Sequence, residues 1–247
     1  KSVSRFEDNM LNVTNDGRKI ALEPRIINPL LPDFEGSKVN VCAENVYQIW
    51  KKGESRKLTQ LVFCDLSTPS EKQTIDMIKN TADEYEVDSK QFSNVYVSMK
   101  EKLIEKGIPS NEIAFIHEAK NNTQKKDLFS KVRSGKIRVL IGSTSKMGAG
   151  TNVQDKLIAI HDLDCPWRPR DLEQRRGRIV RQGNSNEEVF IFRYVTEETF
   201  DSYLYQTIEN KQRFISQVFT SKSPVRVMEE IDEMTLDYAE IKALATG

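Results

Sequence analysis

The sequence predicts an α/β fold, a parallel sheet with helices on both faces. Three observations predict it. Five short apolar runs recur along the chain: LVFCDL (61–66), EIAFIHE (112–118), RVLIGST (138–144), KLIAIHDLD (156–164) and EVFIFRYVT (188–196). They read as continuous apolar stretches rather than alternating ones, as strands buried on both faces do. Segments with helical spacing separate them, and strands alternating with helices imply a parallel sheet.

The elements follow in order. Residues 1–37 read as an irregular extension of short helical pieces and connectors lying on a core. They hold a turn signal at Asn15-Asp16-Gly17 and prolines at Pro24, Pro29 and Pro32. Ser37 suits an N-cap, and Val39, Val41, Val46, Ile49 and Trp50 give an amphipathic helix over 38–52, closed by Gly53. The first apolar run, 61–66, ends in an acid. Residues 70–85 are polar and read as loop or exposed helix. The spacing then predicts a helix over 95–107, the second strand, and a helix over 123–135 capped by Thr123 and stopped by Gly135. The third and fourth strands follow. A helix is expected over 171–184, then the fifth strand. A long helix over 196–218 carries Phe200, Tyr203, Leu204, Ile208, Phe214, Ile215 and Val218 at helical spacing, and a second helix is expected over 224–244.

Composition narrows the function classes. The 247 residues suffice for one large domain or a domain with appendages. Lys and Arg number 37, as do Asp and Glu, so a polyanion partner would have to be met by local clustering rather than net charge. Cys42, Cys64 and Cys165 have no paired spacing and read as reduced, buried thiols, which points to a cytoplasmic protein. With two histidines and no zinc-ligand spacing, no metal site is expected. No apolar run approaches a membrane span, and no signal peptide is visible.

In a parallel sheet, ligands gather at the carboxyl ends of the strands. Segments 64–69, 117–122 and 143–152 fall there, and the arginine-rich segment follows the fourth strand, which places the candidate chemistry on one edge. In GSTSKMGAGTNVQ (142–154) small residues let backbone N–H groups approach an anion, and hydroxyls add donors. Gly148 and Gly150 suit backbone angles that other residues resist. The same composition also suits a plain strand-to-helix connection, and the chain carries no GxxxxGK[ST] phosphate loop. In DLEQRRGRIVRQGN (171–184), Gln174, Gly177, Arg178 and Arg181 are the informative members. On a helix, Arg178 and Arg181 would project from one face. Paired guanidiniums repel, and are kept together most readily where a polyanion or several carboxylates meet them. A solvated basic helix face has the same composition.

The longer stretch HDLDCPWRPRDLEQRRGRIVRQGN (161–184) resembles motif VI of superfamily-two helicases, most of all the Swi/Snf-type translocase branch. Asp164, Trp167, Pro169, Gln174, Arg178, Arg181 and Gly183 stand in its places, while Gly177 resembles the Gly-Arg pair of DEAD-box relatives. STSKMGAGTN resembles motif V, with Ser143, Thr144, Gly148, Gly150 and Asn152 matching and Ser145, Lys146 and Met147 departing. LVFCDL resembles motif IV. The likeness extends over residues 38–218. The wider wording resembles the helicase-like region of large phage and conjugative-element proteins, often joined to a DNA methyltransferase.

That resemblance implies a RecA-like helicase C-terminal lobe. It divides the chain into a connector at 1–37 that follows a first lobe lying upstream of residue 1, the lobe itself at 38–198, and a bracing helix and tail at 199–247. The family's motors hold ATP between two lobes, and the first lobe binds most of the ATP and its Mg²⁺. The resemblance implies catalytic roles for Arg181 as arginine finger, for Arg178 beside it and for Gln174. It places Gly148, Gly150 and Asn152 at ATP, and Ser143, Thr144, Lys146, His117 and Arg168 on DNA. For His117 a structural hydrogen bond competes with that role, and for Trp167 packing against the core competes with base stacking. The partners implied are DNA, duplex before RNA, and the first lobe of the same polypeptide. Two alternatives stand beside this one: a RecA-like module without motor function, and an RNA helicase lobe.

Overall fold

The computed structural model describes residues 10–69, 92–148 and 152–220. The expectations for 70–85 and 224–244 lie outside them. In chain order the elements are α1 (Met10–Leu22), α2 (Lys38–Lys52), β1 (Thr59–Phe63), α3 (Val95–Glu105), β2 (Ile113–Phe115), α4 (Asn122–Ser134), β3 (Val139–Gly142), α5 (Thr144–Gly148), β4 (Leu157–Asp162), α6 (Pro169–Ile179), β5 (Phe190–Arg193) and α7 (Phe200–Thr220).

The five strands form one sheet in the order β2-β3-β1-β4-β5, and every pairing is parallel. The alternation of side chains along the central strand divides the core. Val62 and Cys64 face one side with Val139, Ile141, Phe115 and Leu163, where α2 and α3 supply Val39, Val46, Tyr96, Met99 and Leu103. Leu61 and Phe63 face the other side with Leu140 and Ile160, where α4, α5 and α6 supply Phe129, Val132, Met147 and Ile179. This is the RecA-like α/β architecture expected of a helicase C-terminal lobe. Connections from β1 run toward β2 and those from β4 toward β5. The crevice where they diverge lies at the carboxyl ends of β1 and β4, where such sheets bind ligands.

Several boundaries depart from expectation. The N-terminal extension is more regular than its prolines and its Asn15-Asp16-Gly17 signal suggest. Thr14, Arg18, Ala21 and Leu22 are buried at helical spacing, and that burial carries α1 straight through the turn signal. Asn121 rather than Thr123 caps α4, its side chain accepting from the Gln124 N–H at 2.8 Å. Gly135 stops that helix as expected, in the left-handed conformation at φ 79°. Strand β2 is three residues long and tightens into a 3₁₀ turn over Ile116–Glu118, which puts His117 on a turn at the sheet edge. Gly142 is required at the end of β3, because a Cβ there would stand 2.4 Å from the Cγ2 of Ile116. A third apolar cluster joins Leu172 of α6 to Phe200, Leu204 and Ile208 of α7 through Cys165.

Candidate nucleotide and nucleic-acid site

Three strand ends converge on one arginine, and it is not one the sequence pattern singled out. Arg175 sits in the middle of α6 with its side chain fully buried. Its five N–H donors find five acceptors. Nε donates to the Thr144 hydroxyl at 2.8 Å. Nη1 donates to Asp162 at 3.1 Å and to the Asp164 carbonyl at 2.9 Å. Nη2 donates to Asp65 at 2.7 Å and to the Asp164 carboxylate at 3.0 Å. Its guanidinium also lies 5.2 Å over the Phe63 ring. Burial works against the charge, but Asp164, Asp162 and Asp65 outweigh it and hold the guanidinium pKa above its ordinary value. Asp162 is itself pushed up by burial, an effect that Arg175 opposes.

The same carboxylates organise the loops. Asp65 accepts the Thr144 N–H at 2.6 Å and the Thr144 hydroxyl proton at 2.7 Å. Asp164 accepts the N–H groups of Asp65 and Leu66. Thus the ends of β1 and β4, the start of α5 and the middle of α6 are tied together through one cation. The signal for this was in the sequence. Acids close or follow two strands that are otherwise apolar, and buried carboxylates require a partner.

Beside this network lies a cleft of about 380 Å³ lined by Asp65, Thr68, Ser143, Thr144, Ser145, Asp171 and Gln174. Gln174, Ser143 and Thr144 are thereby brought together. The Thr144 hydroxyl is engaged on both sides, donating to Asp65 and accepting from Arg175. Ser143 is buried, and its hydroxyl lies 3.2 Å from that of Ser145 and accepts the Lys146 N–H. Lys146 and Arg168 are exposed. His117 is half-buried and meets Tyr96 edge-on at 5.3 Å. Its pKa is lowered to about 4, by burial first and then by the charges of Lys146 and Lys125. His117, Lys146 and Lys125 therefore share one electropositive neighbourhood at the carboxyl edge. Trp167 packs against the core, edge-on to Phe200 at 6.5 Å.

The arginine pair departs from expectation in two ways. α6 ends at Ile179 rather than 184, so Arg178 and Arg181 do not share a helix face. Val180 leaves helical geometry at ψ 80°, the Arg181 N–H bonds back to the Ile179 carbonyl at 3.0 Å, and Gly183 turns the chain at φ 92°. Nor does the pair lie on the carboxyl edge. The Asn184 side chain donates to the carbonyl of Leu157, first residue of β4, at 2.9 Å, and Ser185 bonds to Asp155. The segment after α6 therefore stands at the amino end of β4. The reason is length, since a helix rises 1.5 Å per residue and α6 runs back along the sheet it covers. Arg178 is half-buried, and its pKa is lowered by burial and by the neighbouring charge of Arg181. Asn152 is at this end too. Its carbonyl accepts from Arg133 at 2.7 Å, and Gln154, two residues on, reaches the Gln182 carbonyl. Gly148 closes α5, and Gly150 lies outside the described residues.

The expected set thus divides between the two ends of α6. Ser143, Thr144, Lys146, His117 and Gln174 stand at the carboxyl edge, with Arg168 at the position just before the helix. Asn152, Arg178 and Arg181 stand at its far end. Among the described residues no cluster of His, Cys, Asp or Glu could hold a metal ion, and no helix is long and apolar enough to cross a membrane.

Comparison with known proteins gives the family context. The model of the helicase conserved C-terminal domain matches residues 56–183, just over half of the chain. The chain is similar to defense against restriction protein B of Escherichia phage P1, 30% identical over 89 residues, which are 36% of this chain and 4% of that protein. It is also similar to the uncharacterized ATP-dependent helicase YqhH of Bacillus subtilis strain 168, 36% identical over 94 residues, which are 38% of this chain and 16% of that protein. The matches therefore span only a small part of these relatives. A solved structure, the C-terminal part of the Fun30 ATPase domain, aligns over 87% of this chain and 54% of its own, with a TM-score of 0.48 at 14% identity.

Proposed function

Because the chain belongs to the helicase conserved C-terminal domain family, we propose that it is the second motor lobe of an ATP-dependent DNA translocase or helicase of the Swi/Snf type. In this reading it completes an ATP site whose phosphate loop and Mg²⁺-holding carboxylate belong to a first RecA-like lobe. The observation that carries it is the arginine pair at the far end of α6, Arg178 in its last turn and Arg181 just past it. Arg178 and Arg181 are held within each other's field although the Arg178 charge is already disfavoured by burial. An arriving triphosphate relieves that repulsion and receives charge-assisted bonds in exchange.

During hydrolysis, negative charge spreads over the equatorial oxygens of the transferred phosphoryl group. Arg181 is the finger that stabilises it from across the lobe interface, and Arg178 supports it. Asn152 and Gly148 are the residues assigned to the nucleotide. Gln174 connects this end of α6 to the cleft at the other. There Ser143, Thr144, Lys146, His117 and Arg168 face the nucleic-acid backbone, through contacts that do not depend on base sequence. Mg²⁺ chemistry is left to the first lobe, because the acids gathered at this edge, Asp65, Asp162 and Asp164, are already committed to Arg175. When bound there, the ion neutralises phosphate charge. On this reading α7 braces the lobe from outside.

The test is Arg181→Ala in the full polypeptide that carries this lobe beside its first lobe. DNA-stimulated ATP hydrolysis should fall by about 10³-fold or more, with ATP affinity almost unchanged. Wild-type turnover would overturn the assignment. Stimulation of the wild-type protein by duplex DNA, set against RNA, identifies the track.

A further inference from the structure

We propose that Arg18, on α1 and outside the part of the chain that matches the helicase family, is a positioning residue for the arginine helix α6. The inference rests on the motor reading above and adds to it a part for the N-terminal segment.

Arg18 is 6% exposed. Its Nη2 donates to the carbonyl of Cys165 at 2.7 Å, and its guanidinium lies 4.5 Å over the ring of Trp167. Both partners belong to the six-residue link, 163–168, between β4 and α6. The same link is held from the sheet side by Arg175, which takes the carbonyl and the carboxylate of Asp164. Two buried guanidiniums thus grip consecutive carbonyls, Asp164 from within and Cys165 from without. A chain gripped on both sides at adjacent peptides has one entry angle into the helix that follows, and Gln174, Arg178 and Arg181 all lie downstream of that angle.

The hold on Cys165 is costly, which argues against a casual contact. Burial lowers the pKa of Arg18 even though Asp164, Cys165 and Asp201 favour its charge, and its Nε finds no acceptor among the described residues. An apolar residue of similar size would fill this space without that penalty. What the arginine adds is a donor aimed at one carbonyl and a flat face laid on one indole. The rest of α1 is fixed so that Arg18 cannot drift. Gly17 faces Phe200 of α7, and the Ala21 carbonyl accepts from the Thr196 hydroxyl at 2.8 Å. Phe200 in turn packs on Trp167. The N-terminal segment, the start of α7 and the entrance to α6 form one packed unit.

The experiment places Arg18→Met, Arg18→Lys and Arg181→Ala side by side in the full polypeptide. ATP hydrolysis is measured with saturating DNA, and kcat is normalised to the folded fraction given by circular dichroism. Arg18→Met should lower normalised kcat by between about tenfold and 10²-fold, with KM for ATP changed by less than about twofold. Arg18→Lys, which keeps a donor for Cys165 but not the flat face, should recover part of the loss. A merely structural role would lower the folded fraction and leave normalised kcat alone. Should Arg18→Met fail to fold, Arg18→Lys decides: a reduced normalised kcat supports the inference and a wild-type one overturns it. Wild-type kcat in a folded Arg18→Met protein, with Arg181→Ala inactive, overturns the inference and leaves the motor reading standing. Wild-type kcat in Arg181→Ala overturns the motor reading itself.

Discussion

At the scale of the residue, two buried side chains fix how this lobe responds to mutation and to pH. Arg175 is surrounded by Asp65, Asp162 and Asp164, and shortening it leaves buried carboxylates without their cation. Arg175→Ala should cost about 3–5 kcal/mol of unfolding free energy, read by urea denaturation of the chain. A loss below about 1 kcal/mol would mean that water reaches these carboxylates and the network is not sealed. His161 is the second case. It is fully buried in β4, with Nδ1 2.8 Å from the Tyr194 hydroxyl, Nε2 3.0 Å from Gln60 Oε1 and its ring stacked on Phe192. Burial takes its pKa down to about 3, against about 6.5 in an unfolded chain. Between those values the unfolded chain binds a proton that the folded one refuses. The contribution is therefore intact above about pH 6.5 and is lost as pH falls toward 3, at about 1.4 kcal/mol per unit. Unfolding free energies at pH 7 and pH 5 should differ by about 2 kcal/mol more in the wild type than in His161→Gln. Equal differences would rule out a buried neutral imidazole.

At the scale of the element, α6 concentrates what the sequence made legible and what it hid. Strands β1 to β4 were readable because burial on both faces leaves them mostly apolar, β5 was readable from its apolar run although the edge position leaves Phe190 and Arg193 exposed, and α2 was readable to the residue, with Ser37 accepting from the Asn40 N–H and Gly53 closing the last turn. The end of α6 was not. Its polar periodicity runs on to 184, whereas Val180 and Gly183 bend the chain out of the helix, a backbone event that side-chain spacing does not record. Arg175 was hidden for another reason. In a segment dense with arginine, pattern alone does not tell a buried cation from exposed ones, and only the acids at other strand ends show that one must turn inward. Gly177 gives this element its own test. A Cβ there would meet nothing within 4 Å, so glycine inside the helix costs stability that alanine would restore. Gly177→Ala should stabilise the isolated chain by about 0.5–1 kcal/mol. In the full polypeptide the same change should lower DNA-stimulated ATP hydrolysis if this bare surface faces the nucleotide across the lobe interface. A stabilised and fully active variant would assign Gly177 no part in the site.

At the scale of the whole molecule, charge is distributed rather than accumulated. The sequence carries equal numbers of basic and acidic side chains, so net charge does not draw a polyanion to it, and the nucleic-acid affinity proposed above would come from the cations that the fold gathers. The fold gathers them unequally. At the carboxyl edge the acids Asp65, Asp162 and Asp164 are matched by Arg175, while the charges of Lys146 and Lys125 add to burial, the larger cause, in lowering the His117 pKa. At this edge Asp162 and Asp164 are buried against Arg175, whereas Lys146 is exposed. A nucleic-acid track at this edge, as proposed above, would release counterions in proportion to the phosphates it neutralises. The binding constant of the full polypeptide for duplex DNA should then fall linearly with salt on logarithmic axes, with a slope of about −0.9 per phosphate contact. Lys146→Ala should make that slope shallower by about one unit and weaken binding alike for unrelated sequences. His117 should add little to the slope near neutral pH, because with a pKa of about 4 it is uncharged there, and it should join the track only below pH 5. A Lys146→Ala protein with an unchanged salt slope would move the nucleic acid off this edge, and with it the division of labour between the two ends of α6.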